Sequence, residues 1–268
     1  MTHRWRAATV DSGGEDIYYE VTGDDDAATI VLTHGAGGSH AAWFQQVPVL
    51  AGAGYRVVTW DCRGFGRSTY RTGTHGTAAA VADIDAVLGA VGADRIHLCG
   101  QSMGGWWVTA YTMAQPQRVR SLTLSNTVGA LWTEALEAHF RDFAKRPQAA
   151  SDRLGAHAAL SPAFVTRDAA RAFLYQQLNT FHTPPMADVV TAIMTTRLAH
   201  ADLDALGIPI LMITGSEDQL FPAPLIVDNA ARLTNATLVE ISHAGHSPYF
   251  EQPEEYNDAL LRFLEKAP

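Results

Sequence analysis

Cysteine is scarce in this chain: Cys62 and Cys99 are the two in 268 residues. They form no Cys-x-x-Cys pair, so neither a structural zinc site nor a disulfide-stapled fold is expected. Long apolar runs are missing too. The longest, near Ile30–Leu32 and Ile208–Ile213, are strand-sized and far short of the roughly 18 residues that span a bilayer. Met1–Arg6 carries charge and a Trp, but no apolar stretch follows. A secretory leader is therefore not expected, and cytoplasmic residence is the default expectation. Positive charge is outweighed: 19 Lys and Arg against 28 Asp and Glu give a formal net charge of −9. That balance disfavours nucleic acid as a partner and leaves a small-molecule site open. Neither an internal repeat nor a low-complexity tract is present.

What remains is the composition of a globular protein, 47% hydrophobic and 18% charged, with enough apolar mass for one large core. Short, nearly continuous apolar runs read as strands buried on both faces: Thr29–Thr33, Arg56–Trp60, Ile96–Cys99, Ser121–Ser125, Ile208–Thr214 and Thr237–Ile241. Helical patterns separate them at Thr77–Val91, Met103–Ala114, Leu225–Leu233 and Glu254–Glu265. Such alternation implies a mostly parallel sheet with helices on both faces. Trp5–Val10 and Glu15–Val21, joined by Asp11-Ser12-Gly13-Gly14, read as an antiparallel hairpin. One interval breaks the alternation. From about Val128 to Leu206 the patterns are helical (Leu131–Lys145, Ala149–Leu160, Asp168–Asn179, Ala187–His200), punctuated by Pro147, Pro162, Pro184 and Pro185. It is too long for a loop in a compact domain. The expected organisation is a core of residues 1–127 and 207–268 with a helical cap, 128–206, inserted in it.

Gly100-Gln101-Ser102-Met103-Gly104 fits G-x-S-x-G between a strand and a helix. A strand-to-helix turn that tight needs small flanking residues, and it pushes the Ser hydroxyl out at the carboxyl edge of the sheet. The same turn aims a helix N-terminus, including the Met103 N–H, at that place. A Ser hydroxyl needs a base. Among 11 histidines, His246 stands out just past the last strand, with His243 as its rival. Asp218, in the loop after Ile208–Thr214, can fix the imidazole tautomer, with Glu217 as competitor. The glycine-rich loop His34-Gly35-Ala36-Gly37-Gly38 follows the strand Thr29–Thr33 and lets backbone approach a ligand closely. It lacks the Lys-Ser/Thr of a phosphate loop and the G-x-G-x-x-G spacing.

Taken together, HGAGG at 34–38, DCRGFGRS at 61–68, GQSMGG at 100–105, GSED at 215–218 and HAGHSPYFEQPEEYN at 243–257 resemble the α/β-hydrolase superfamily over nearly the whole chain. The chain order Ser, Asp, His is that family's order. The resemblance implies an eight-stranded, mostly parallel α/β-hydrolase sheet with an inserted helical cap. It implies Ser102 as nucleophile, His246 as general base and acid, Asp218 as orienting acid, and the N–H groups of Ala36 and Met103 as oxyanion hole. It gives Asp61 and Arg63 a structural role. It also sets Cys62 and Cys99 on either side of the strand Thr29–Thr33, beyond disulfide reach, hence as two buried free thiols.

A Ser at the elbow points to acyl transfer rather than to the dehalogenation or epoxide opening of relatives that carry Asp there. Neither metal nor cofactor is required. Hydrolysis of a carboxylic ester or lactone is the leading expectation. A C–C hydrolase of a vinylogous diketone uses the same triad, but its usual Trp after the catalytic His is replaced here by Ser247. A ligand-binding or signalling protein with slow turnover is the reading from a different class. Trp106, Gly37 and Trp132 are the candidate substrate contacts, Trp106 and Trp107 opening the helix after the elbow. Phe140, Phe143, Phe164, Phe173, Tyr175 and Phe181 give the cap an aromatic character. His139, His157, His182 and His200 read as surface residues, and Arg141, Arg153, Arg167, Arg171 and Arg197 are interchangeable as carboxylate anchors. A homodimer is allowed but not required.

Overall fold

The computed structural model describes residues 3–71, 73–143, 145, 154–180 and 186–267. Its sheet has eight strands: β1 (Trp5–Ser12), β2 (Glu15–Thr22), β3 (Thr29–Thr33), β4 (Arg56–Trp60), β5 (Ile96–Gln101), β6 (Val119–Ser125), β7 (Ile210–Gly215) and β8 (Ala236–Ile241). Their order is β1-β2-β4-β3-β5-β6-β7-β8. β1 and β2 form the antiparallel hairpin, and β2 runs antiparallel to β4; every other neighbouring pair is parallel. The hairpin closes on Gly13 and Gly14 with φ of +62° and +84°, the left-handed pair that a two-residue turn between twisted strands requires. Both strands therefore run further than their apolar patterns indicate.

Every residue of β3, β4, β5 and β7 is buried, which explains their unbroken apolar runs. Alternate side chains serve opposite faces. Ile30, Leu32, Val57 and Cys99 pack with Leu50 of α1 (Val47–Gly52) and with Tyr256 and Leu260 of α11 (Pro253–Leu264). Val31, Val58 and Leu98 pack with Ile84 and Leu88 of α2 (Thr77–Val91), Trp107 and Val108 of α3 (Met103–Ala114), and Ile226 of α9 (Ala223–Ala230). The short α10 (Pro248–Glu251) precedes α11. β7 starts at Ile210 rather than Ile208, since Pro209 has no N–H to give a ladder.

The interval between β6 and β7 holds α4 (Glu134–Phe143), α5 (Pro162–Arg167), α6 (Ala169–Leu178), α7 (Met186–Thr195) and α8 (His200–Asp204). Pro162 opens a helix rather than interrupting one. It stands at the first helical position, and the Ser161 hydroxyl caps it by accepting Phe164 N–H at 3.1 Å. Asp168 caps α6 through Arg171 N–H at 3.0 Å. The single pattern Ala187–His200 is split in two, because Leu198 leaves the helix to bridge Leu131. Pro147, Arg153, Phe181, His182, Pro184, Pro185 and residues 149–153 of the Ala149–Leu160 pattern lie outside the described residues, and residues 154–160 form turns rather than the expected helix. Among the described residues no helix is long and apolar enough to cross a membrane.

Cys62 and Cys99 are both free and buried, on either side of β3. Burial pushes the Cys99 thiol up to about 12 and the Cys62 thiol well above its ordinary value.

Candidate active site

Ser102 stands between β5 and α3 with φ 49° and ψ −119°, a backbone that L side chains rarely adopt. The turn is as tight as its glycines imply. A Cβ on Gly100 would lie 2.5 Å from Gly104 O, and a Cβ on Gly104 would lie 2.5 Å from Thr33 O. Met103 is the first residue of α3, so its N–H belongs to the unpaired first turn and sits at the positive end of the helix dipole. Ala36 N–H is likewise without an acceptor among the described residues.

The loop carrying Ala36 lies against the elbow: a Cβ on Gly35 would collide with the Gln101 carboxamide and approach Ser102 Cβ to 3.1 Å. His34 holds this loop in shape. Its Nε2 accepts Cys62 N–H at 2.9 Å, which leaves Nδ1 to donate to Gly35 O at 2.7 Å. Complete burial favours that neutral ring and lowers its pKa. Gly37, at φ +83°, faces Asn179 just past α6, whose Oδ1 would be 3.4 Å from a Cβ there.

Asp218 follows β7, and its Oδ2 lies 2.9 Å from His246 Nδ1, both residues being buried. The carboxylate is fully engaged. Oδ1 accepts Leu220 N–H at 2.8 Å and Phe221 N–H at 2.9 Å, and Oδ2 also accepts Asn126 Nδ2 at 2.9 Å. An acceptor-only carboxylate on Nδ1 puts the proton of a neutral imidazole there and leaves the Nε2 lone pair free. Nε2 has no partner among the described residues, and Ser102 Oγ has none either. The two loops are joined next to those atoms, where Gln101 Nε2 donates to His246 O at 3.0 Å. The Phe221 ring stacks on His246, 5.4 Å away and tilted by 13°.

The two rivals stand together. His243 is exposed and pairs with Glu217 at 3.6 Å, apart from the buried pair. Asn126, which the sequence reading does not single out, sits at the end of β6 with φ +50°. Its one sequence signal is that it ends a buried strand on the same sheet edge.

The candidate substrate contacts divide. Trp106 is fully buried; its Nε1 donates to Ile193 O of α7 at 3.1 Å, and its ring is 6.0 Å from Phe221 and 6.3 Å from Trp132. Trp132 is half-buried, with the Arg197 guanidinium 3.8 Å over its ring. A chain of rings therefore runs from His246 through Phe221 and Trp106 to Trp132 and Phe140. His139 bonds Leu220 O at 3.1 Å and His200 bonds Asn229 Oδ1 at 2.8 Å, so both are packing contacts rather than free surface residues. Burial, and then the proximity of His246, lowers the His157 pKa. Arg171 is committed to Gln45 Oε1 and Phe250 O. Among the described residues no group of three or more His, Cys, Asp or Glu could hold a metal ion.

Residues 28–253 match the family model described as the alpha/beta hydrolase fold. A relative from Variovorax paradoxus (strain S110), provisionally named carbamate hydrolase RutD, is 31% identical over 259 residues, 92% of this chain and 96% of its own. A hydrolase from Pseudomonas aeruginosa PA01 is similar in structure with a TM-score of 0.79 at 26% identity, covering 97% of this chain and 98% of that one. A structure from work on carboxylesterases of the thaumarchaeon Nitrososphaera gargenis gives 0.80 at 24% identity, with the same coverage, a likeness of fold. The chain belongs to the α/β-hydrolase family.

Proposed function

We propose that this protein is a serine hydrolase that cleaves a carboxylic ester or lactone of a small, apolar or aromatic substrate through an acyl-enzyme on Ser102. The observation that carries the reading is the buried Asp218–His246 pair, 2.9 Å apart, with Nε2 uncommitted among the described residues and His246 O held by Gln101 of the elbow. Ser102 Oγ attacks the carbonyl carbon while Nε2 takes its proton. The tetrahedral oxyanion is held by the N–H groups of Ala36 and Met103, each such donor being worth on the order of 3 kcal/mol. His246 protonates the departing alkoxide as the C–O bond breaks. Water then repeats the sequence on the acyl group and frees Ser102. The inserted interval 128–206 acts as a cap, and the rings of Phe221, Trp106, Trp132 and Phe140 favour an apolar acyl or alcohol part.

A second reading is a carbamate as substrate, favoured by the name given to the Variovorax relative. It needs the same nucleophile and oxyanion hole and differs in the leaving group. Two experiments test these readings. Ser102→Ala is expected to lower kcat/KM for a p-nitrophenyl ester by about 10⁴-fold or more and to abolish labelling by a fluorophosphonate; retained turnover overturns the assignment. A panel of matched aryl ester, lactone, carbamate and dienoic diketone substrates ranks the bond classes by kcat/KM, and preference for the carbamate or the diketone overturns the first choice.

A further inference from the structure

Glu251 is a carboxylate with 1% of its surface exposed, and no Lys, Arg or His pairs with it among the described residues. Burial raises its pKa, and backbone N–H groups of Ser161, Gly245 and Ser247 oppose that shift. Those three N–H groups are its backbone partners. Oε1 accepts Gly245 N–H at 2.9 Å and, more loosely, Ser247 N–H at 3.4 Å, the residues on either side of His246. Oε2 accepts Ser161 N–H at 2.9 Å, the residue that caps α5 in the inserted interval. The three partners come from two segments far apart in the chain.

The contact between those segments is close. A Cβ on Gly245 would stand 2.7 Å from Ser161 N and 3.0 Å from Leu160 C. A second tie lies beside it, Tyr175 Oη to Ser247 Oγ at 2.7 Å. On the opposite side the carbonyls of the same loop are held by the core. His246 O accepts Gln101 Nε2 at 3.0 Å, and Gly245 O accepts Asn126 Nδ2 at 3.3 Å. The peptides around His246 are therefore clamped from both sides, by core amides on their oxygens and by Glu251 on their nitrogens.

We propose that Glu251 is a positioning residue for His246, and that by sharing its carboxylate with Ser161 it fixes the start of α5 to the histidine loop. A buried charge without a counterion is costly, and its retention among three backbone donors fits a role in geometry rather than in net stability. The proposal rests on His246 being the base, as in the function proposed above.

Glu251→Gln is the test, because it keeps the shape and one accepting oxygen but turns the other into a donor facing an N–H. Wild-type protein that is labelled by a fluorophosphonate, and Ser102→Ala that is not, establish the underlying reading first; their failure is a failure of that reading and leaves Glu251 out of it. With that in place, Glu251→Gln is expected to lower kcat for p-nitrophenyl acetate about tenfold with KM nearly unchanged, the size of effect that a small misplacement of a catalytic group produces. Its far-UV circular dichroism should match wild type. The downfield imidazole proton of the Asp218–His246 bond, identified by its loss in Asp218→Asn, should shift or broaden in the one-dimensional proton spectrum. Glu251→Leu should lower kcat further; where it does not fold, the Gln variant decides alone. A folded Glu251→Gln whose kcat falls by less than about threefold, or whose downfield proton keeps its wild-type position, overturns the proposal.

Discussion

Two histidine–aspartate pairs stand near the carboxyl edge of this sheet, and by distance they are twins. His246 Nδ1 is 2.9 Å from Asp218, and His40 Nδ1 is 2.8 Å from Asp61. Asp61 also accepts the backbone N–H groups of His40 and Arg67, just as Asp218 accepts those of Leu220 and Phe221. The difference is on the far nitrogen. His40 Nε2 lies 3.3 Å from Glu20, so both sides of its ring face carboxylates. His246 Nε2 is free among the described residues, and the backbone oxygen of the same residue is held by Gln101, the neighbour of strained Ser102. A buried His–Asp contact is thus no mark of a base by itself; a base also needs its second nitrogen left uncommitted. The same comparison gives the DCRGFGRS segment its role. Asp61 stitches the loops around β4, and Arg63 forms a 2.5 Å ion pair with buried Asp83, so neither takes part in the proposed chemistry.

Exchanging the members of the two pairs tests the contrast most severely. His246→Ala is expected to lower kcat for an activated ester by roughly 10⁴-fold or more, while His40→Ala leaves kcat within about twofold and lowers the thermal midpoint. Similar losses in both would erase the distinction. Next comes the acid. Asp218→Asn should cost about 10³–10⁴ in kcat by presenting the wrong tautomer, and Glu217→Gln, measured in parallel, about nothing. Asn126→Ala is expected to lower kcat roughly tenfold, since an outer-shell donor orients the carboxylate; an unchanged kcat would reduce Asn126 to packing.

The mildest test concerns stability and not turnover. Burial raises the Asp61 pKa, but the hydrogen bonds it accepts from His40 and the nearby His34 and His40 rings lower it further, leaving it below the ordinary 3.8. A depressed carboxylate contributes stability above its unfolded pKa and loses it as pH falls through the folded one. Urea titrations of Asp61→Asn should therefore show a deficit of roughly 1–3 kcal/mol near neutrality. That deficit should shrink as the pH is taken below about 4. A constant deficit across that range would mean that shape, not charge, is what Asn lacks.

The contrast also marks how far the sequence can be read. β3, β5 and β7 are legible because strands buried on both faces leave uninterrupted apolar runs, and Ser102 because its turn admits only glycine at 100 and 104. Asp218 and His246 are legible by their place after strands. Asn126 and Glu251 are not, since their parts depend on partners 92 and 90 residues away, Asp218 and Ser161, and a polar residue at a strand end or in a helix looks the same whether buried or solvated. α5 is missed because Pro162 reads equally as a break or as a first helical residue, and the capping by Ser161 decides.

The buried thiols have a practical bearing. With Cys99 pushed up to about 12, Cys62 higher than its ordinary value and neither accessible, the chain holds almost no thiolate at neutral pH. A maleimide probe would find nothing native to react with in the folded state. A single cysteine introduced at exposed Val190 on α7 would therefore be a selective attachment point, placing a fluorophore on the inserted helices without altering either resident sulfur.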